Sequence, residues 1–211
     1  MRRMTAAGPV SNRPPHILFA AVSALSARFA TVALALLVAL SVASAAEEQK
    51  IKLGEFIPAA PPQPAPEVSF EDLDGKPASL VDFRGKLLVV NLWATWCEPC
   101  LREMPSLERL QSKLDGKLVV AAVSEDRGGA KIVEPFVGKL GLDKVKIYLD
   151  PKSAVGHAFE VRGLPTSIVI GSDGKVLGRV EGAAEWDASK MLDALKRLLP
   201  KPKDELKHAL N

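Results

Sequence analysis

The stretch Trp96-Cys97-Glu98-Pro99-Cys100 holds the only two cysteines of a 211-residue chain, and it follows directly on the apolar run Lys86-Leu87-Leu88-Val89-Val90-Asn91-Leu92-Trp93. That order predicts a buried strand over residues 86–93 handing over to a helix over 99–110, with the cysteine pair at the junction. Two intervening residues at the start of a helix bring both sulfurs within disulfide reach, so the pair can cycle between dithiol and disulfide without rebuilding the fold. Cys97 falls at the helix N-terminus, where unpaired backbone N–H groups and the positive end of the helix dipole favour a thiolate. Cys100, one turn in, is the shielded partner that resolves a mixed disulfide. Half of a zinc site is a weaker reading, because His16, His157 and His208 are the only histidines and none stands in a ligand motif with the pair. A purely structural disulfide is weaker too, since closing so short a loop removes little entropy from the unfolded chain.

Residues 1–46 bear on compartment. Arg2, Arg3, Arg13 and Arg28 are their only charged side chains, and residues 29–46 read FATVALALLVALSVASAA. An uncharged run of that length spans a bilayer, so an exported, membrane-anchored chain is expected, held in the bacterial inner membrane through residues 29–46 with its body in the periplasm. Ala43-Ser44-Ala45 is also a cleavage pattern, which leaves removal after Ala45 and a soluble periplasmic product as the alternative. Setting the four arginines aside leaves 24 basic residues against 25 acidic ones, so the body is near neutral and nucleic-acid binding loses its main support. Residues 47–66, with Pro58, Pro61, Pro62, Pro64 and Pro66, read as an extended proline-rich spacer. Residues 67–199 carry one domain's worth of pattern, and residues 200–211 a C-terminal tail.

Within that domain, residues 67–73 and 78–80 flank Asp74-Gly75 as a hairpin. Residues 118–124 read as a second buried strand, 130–140 as a helix interrupted near Pro135, 146–149 as a short strand and 155–161 as a helix. Residues 166–170 and 176–180 form a hairpin around Asp173-Gly174, and 187–199 a closing amphipathic helix. Strands alternating with helices before a terminal hairpin imply an α/β fold with a mixed sheet.

This order, with Gly85-Lys86 before the strand, the Trp93-to-Cys100 segment, Arg102-Glu103-Met104-Pro105 and Gly163-Leu164-Pro165-Thr166-Ser167, resembles the TlpA-like (TlpA/ResA/CcmG) branch of the thioredoxin-fold thiol:disulfide interchange proteins; Gly182-Ala183-Ala184-Glu185-Trp186 is similar to that branch as well. The resemblance covers about residues 67–199. It implies a thioredoxin-like α/β fold, a mixed central sheet with helices on both faces, preceded by an N-terminal hydrophobic anchor or signal helix. It implies that Pro165 is the cis-proline facing the dithiol, with Leu164 before it and Thr166 after it turning backbone groups toward an extended substrate. Asn91 departs from the thioredoxins proper, which carry a buried aspartate there, and Glu103 matches an acidic residue that could take a proton from Cys100. Glu98 adds negative charge beside Cys97 and with Pro99 points to a reductase rather than an oxidant. Trp96 is expected to stand exposed as an apolar contact for substrate, and Trp93 to pack in the core; Trp186 has no role derivable from sequence.

The resemblance also implies partners and exclusions. Substrates would be exported proteins with cysteine pairs, such as apocytochrome c or copper-delivery proteins of cytochrome oxidase. Electrons would come through a membrane donor drawing on cytoplasmic thioredoxin. No metal or organic cofactor is required, because the Cys97–Cys100 pair carries the electrons itself. A redoxin-type peroxidase, a thioredoxin-like copper-handling protein and a non-catalytic binding module are the alternatives.

Overall fold

The computed structural model describes residues 54–201. Its strands are β1 (Phe56–Pro64), β2 (Ser69–Asp72), β3 (Pro77–Ser79), β4 (Leu87–Trp93), β5 (Leu118–Ser124), β6 (Lys146–Leu149), β7 (Thr166–Ile170) and β8 (Lys175–Glu181). Its helices are α1 (Glu98–Lys113), α2 (Ala130–Leu140), α3 (Ala154–Ala158) and α4 (Ser189–Leu198), with a 3₁₀ turn over Leu80–Phe83. The strands form one eight-stranded sheet in the order β1-β8-β7-β4-β5-β6-β2-β3. β5 runs parallel to β4 and β6 parallel to β5, and every other pairing is antiparallel. This is a thioredoxin-like α/β fold with a mixed sheet.

β4 shows why the sequence reads as a continuous apolar run rather than an alternating one. All seven of its side chains are buried, because both faces of a central strand are covered. Leu87, Val89 and Trp93 join one core with Cys100, Met104, Leu107 and Leu110 of α1, Val133 of α2 and Met191 and Leu195 of α4. Leu88, Val90 and Leu92 point the other way, into a second core with Phe70, Leu80, and Val155 and Phe159 at α3. Burying each such large apolar side chain stabilises the fold by about 1.5–3 kcal/mol. Asn91 shares the parity of Val89 and Trp93, so the one polar side chain of β4 is aimed at α1.

The proline-rich run is not a spacer throughout. Residues 56–64 form β1, an edge strand antiparallel to β8, with Phe56 opposite Val180, Pro58 opposite Gly178 and Pro64 opposite Lys175. Proline lacks an N–H and is excluded from central strands, but an edge strand needs hydrogen bonds on one side only. The register slips between Pro58 and Gln63, a break around the prolines that an edge tolerates. The fold therefore begins ahead of residue 67. Gly178 makes the seam possible: a Cβ there would lie 2.5 Å from both the Ile57 carbonyl oxygen and the Phe56 ring. Gly178→Ala is expected to push β1 off β8 at a cost of about 1–3 kcal/mol. Faster hydrogen exchange confined to residues 54–64 checks this, and unchanged exchange there would show that the seam is not held by this approach.

Helix α2 runs through Pro135 without the expected break. The hairpins around Asp74-Gly75 and Asp173-Gly174 form as expected. The second is clamped by the segment leading into β4. The Arg84 guanidinium occupies the place a Cβ on Gly174 would take, and the Gly85 N–H donates to the Ser172 carbonyl at 3.0 Å. Among the described residues no helix is long and apolar enough to cross a membrane. The anchor expected over residues 29–46 lies outside the described residues, as do residues 202–211 of the tail.

Candidate active site

Parallel strands β4 and β5 end side by side, and the chain leaving β4 turns through Ala94-Thr95-Trp96 into α1. Cys97 is the N-cap residue of α1, with its carbonyl accepting from the Leu101 N–H at 3.1 Å. Pro99 sits in the first turn, where its missing N–H costs nothing. Cys97 and Cys100 are joined as a disulfide, Cα atoms 5.3 Å apart. Cys97 retains 6% of its surface and Cys100 none, so an incoming thiolate or disulfide meets Cys97.

Asp126 braces the turn that carries Cys97. Its carboxylate accepts from the Thr95 N–H at 2.8 Å, the Thr95 hydroxyl at 2.7 Å and the Ser124 hydroxyl at 2.7 Å. The residue follows β5, next to the β4 exit, and nothing local in the sequence singles it out. Asp126→Ala leaves the partly buried Thr95 N–H without its acceptor and is expected to cost about 1–3 kcal/mol. It should also make Cys97 more accessible to alkylation in the reduced protein, whereas an unaltered alkylation rate would limit Asp126 to general stability.

Glu103 lies one turn after Cys100 on the same face of α1 and is only 2% exposed. It is not a solvated helix glutamate. Its Oε1 accepts from Asn91 Nδ2 at 2.8 Å; its Oε2 accepts from the Ala184 N–H at 3.0 Å and from Trp186 Nε1 at 3.1 Å. Burial pushes its pKa above the ordinary carboxylate value, outweighing the three donors that pull it down, while the charge of Glu185 adds to the rise. A carboxylate held above its usual range is the better proton acceptor for a thiol.

Trp186, which the sequence left without a role, thus has one: it is buried, and its indole N–H holds Glu103. Ser106 ties the same loop to α1, donating to the Glu103 carbonyl at 2.7 Å and accepting from the Trp186 N–H at 3.1 Å. Asp187 then takes Arg109 at 2.8 Å and Lys113 at 3.0 Å, and those two cations hold its carboxyl far below the usual range.

The Leu164–Pro165 peptide is cis, as the resemblance implied. Thr166 is opposite Leu92 in the β4–β7 register, so Pro165 enters the sheet at the end of β4 from which the cysteine loop departs. Pro165 gives its carbonyl to the Gly182 N–H at 2.9 Å. Thr166 is buried and its hydroxyl donates to the Gly163 carbonyl at 2.7 Å, closing the turn around Pro165. Leu164 packs partly exposed against both cores. Trp96 stands 71% exposed next to Cys97, and Trp93 is fully buried with its indole N–H unpartnered among the described residues. Glu98 is exposed with Arg102 at 3.5 Å, which partly offsets its charge near Cys97. The residues named from sequence thus divide between the start of α1 and the entry to β7. No group of three or more His, Cys, Asp or Glu side chains among the described residues is placed to hold a metal ion.

The model of the Redoxin family matches residues 60–195, a span that includes part of β1. Thiol-disulfide oxidoreductase ResA from Bacillus thuringiensis subsp. konkukian is 33% identical over 155 residues, covering 73% of this chain and 83% of that protein. ResA from Geobacillus thermodenitrificans is 35% identical over 134 residues, 63% of this chain and 76% of that one. Among solved structures, a thiol:disulfide interchange protein of the thioredoxin family from Chlorobium tepidum superposes with a TM-score of 0.54 at 27% identity, over 63% of this chain and 95% of its own. A buried, disulfide-linked cysteine pair at a strand-to-helix junction and a match across most of the folded chain lead to one assignment: the chain belongs to the redoxin family, among its thiol-disulfide oxidoreductases, with Cys97 and Cys100 as the redox pair.

Proposed function

We propose that this protein is a membrane-tethered periplasmic reductase of disulfides in exported proteins, serving cytochrome c or cytochrome oxidase biogenesis. The observation that carries the reading is the buried Glu103 one turn after Cys100, held by Asn91, Ala184 and Trp186. It equips the resolving thiol with an acceptor where β4 offers no aspartate. The Cys97 thiolate attacks the substrate disulfide, one substrate sulfur leaves as a thiolate, and the other stays bonded to Cys97. Cys100 gives its proton to Glu103 and attacks the Cys97 sulfur. The Cys97–substrate bond breaks as the Cys97–Cys100 bond forms, so two electrons pass to the substrate. Trp96 supplies an apolar contact beside Cys97, and Leu164, Pro165 and Thr166 shape the facing edge, with Glu98 and Pro99 setting the thiol's surroundings.

Residues 1–46 support the tether, with four arginines ahead of or within an otherwise uncharged segment. The periplasm is kept oxidising, so a reductase there needs electrons delivered across the membrane. A membrane donor drawing on cytoplasmic thioredoxin meets that need. The substrates proposed are apocytochrome c cysteine pairs and copper-delivery proteins of cytochrome oxidase. The test is a Cys100→Ser variant, which cannot resolve its mixed disulfides, produced in a strain assembling both cytochromes. Capture of either substrate class on Cys97 supports the reading, and capture confined to unrelated exported proteins overturns the biogenesis assignment.

A further inference from the structure

Asn91 stands directly opposite Ser167 in the β4–β7 register and faces α1. Its Nδ2 donates twice, to Glu103 Oε1 at 2.8 Å and to Ser167 Oγ at 2.9 Å, while its Oδ1 is buried with no hydrogen-bond partner among the described residues. A buried amide with one end fully used and the other idle needs a physical reason.

The donor set around Glu103 supplies it. Both partners of Oε2, the Ala184 N–H and the Trp186 indole N–H, can only donate. A proton arriving on Oε2 would point at two donors, so it must settle on Oε1. Among the described residues the only partner of Oε1 is Asn91, and a side-chain amide can turn over and offer oxygen in place of nitrogen. Ser167 tolerates the exchange, because a hydroxyl accepts in one state and donates in the other. We propose that Asn91 is a positioning residue whose side-chain amide reverses when Glu103 takes a proton: Nδ2 faces the carboxylate, and Oδ1 faces the carboxylic acid.

This rests on the reading of Glu103 as acceptor of the Cys100 proton. In that step the Cys100 thiol proton moves to Glu103 Oε1. The Cys100 sulfur bonds to Cys97, the Cys97–substrate bond breaks, and the electron pair leaves on the substrate sulfur, which is protonated in turn. The reversed amide leaves the two Nδ2 hydrogens where Oδ1 now sits unpartnered. Stranded N–H groups are worse tolerated than an under-satisfied carbonyl, so Asn91 favours return of the proton and restores the carboxylate for the next turnover. An aspartate at this position could not donate to Glu103, and two facing carboxylates would have to share a proton. The charged neighbour acting on Glu103 is Glu185 on the β8–α4 loop; Asn91 and Ser167 of the sheet carry none.

The chain has three asparagines, Asn12, Asn91 and Asn211, which makes the amide observable by selective ¹⁵N labelling of the full-length protein. In the oxidised wild type, at a pH where Glu103 is ionised, the Asn91 side-chain hydrogens should exchange slowly, both being bonded. Glu103→Gln stands in for the acid, since its Nε2 must take the Oε1 position to leave an acceptor for Trp186 and Ala184. In that variant the Asn91 hydrogens should lose their protection and shift. Acid titration of the wild type should produce the same change without any substitution. Identical Asn91 signals in wild type and Glu103→Gln, unmoved by titration, would overturn the proposal. A reversing amide in a Glu103→Gln protein that still releases substrate at the wild-type rate would uphold Asn91 while removing Glu103 from the mechanism.

Discussion

Cys97→Ser is expected to reduce thiol-disulfide exchange to background, while Cys100→Ser retains the first attack and stalls as a mixed disulfide. The asymmetry follows from placement. Cys97 caps α1 and keeps a sliver of accessible surface, whereas Cys100 is sealed beneath the helix in the core with Met104 and Leu107. Only the thiolate is nucleophilic, and a serine hydroxyl at position 97 can neither carry two electrons nor form the mixed disulfide. The measurement is reduction of a model protein disulfide, with non-reducing gels to follow adducts. Residual activity in Cys97→Ser, or adduct formation through position 100, would mean that the nucleophile has been misassigned.

The second large effect belongs to Glu103→Gln. Loss of the acceptor should slow substrate release from the Cys97 mixed disulfide by about 10²-fold near neutral pH, the lower range for a positioned acid or base. The deficit should shrink as pH rises, because Cys100 then ionises without help. A purely structural role would give a deficit independent of pH. Stability supplies an independent check. The folded-state pKa of Glu103 is raised by burial, so between the ordinary carboxylate value and the raised one the native state binds more protons than the unfolded state. The contribution of Glu103 to wild-type stability therefore falls as pH rises through that window and is fully present only below it. Glu103→Gln should lack this decline. Parallel stability–pH curves for the two proteins would contradict the assigned burial effect.

Comparison of elements shows what could be read from the chain and what could not. The strand at 86–93, the helix after Cys97 and the two hairpins follow from local signals: an apolar run, a proline in the first helical turn, and Asp-Gly turns. β1 was hidden because its evidence is non-local. Its prolines match a spacer in composition, and only Gly178, more than a hundred residues on, leaves the gap into which Phe56 and Ile57 fit. The site divides the same way. Cys97 and Cys100 are carried by their motif, and Pro165 and Glu103 by a resemblance. The group that gives Glu103 its properties is assembled from β4, β7 and the loop after β8, so neither Trp186 nor Ser167 announces itself in its own neighbourhood. Asp126 is legible only once β4 and β5 are known to lie parallel.

The central claim, that Cys97 and Cys100 form a reducing pair, is tested most directly by the equilibrium reduction potential of the full-length protein against thioredoxin and glutathione. The account expects about −250 mV or lower, in the range of a dithiol that gives electrons away. A potential near about −120 mV, where the reduced form is strongly favoured, would contradict it and make the protein a donor of disulfides.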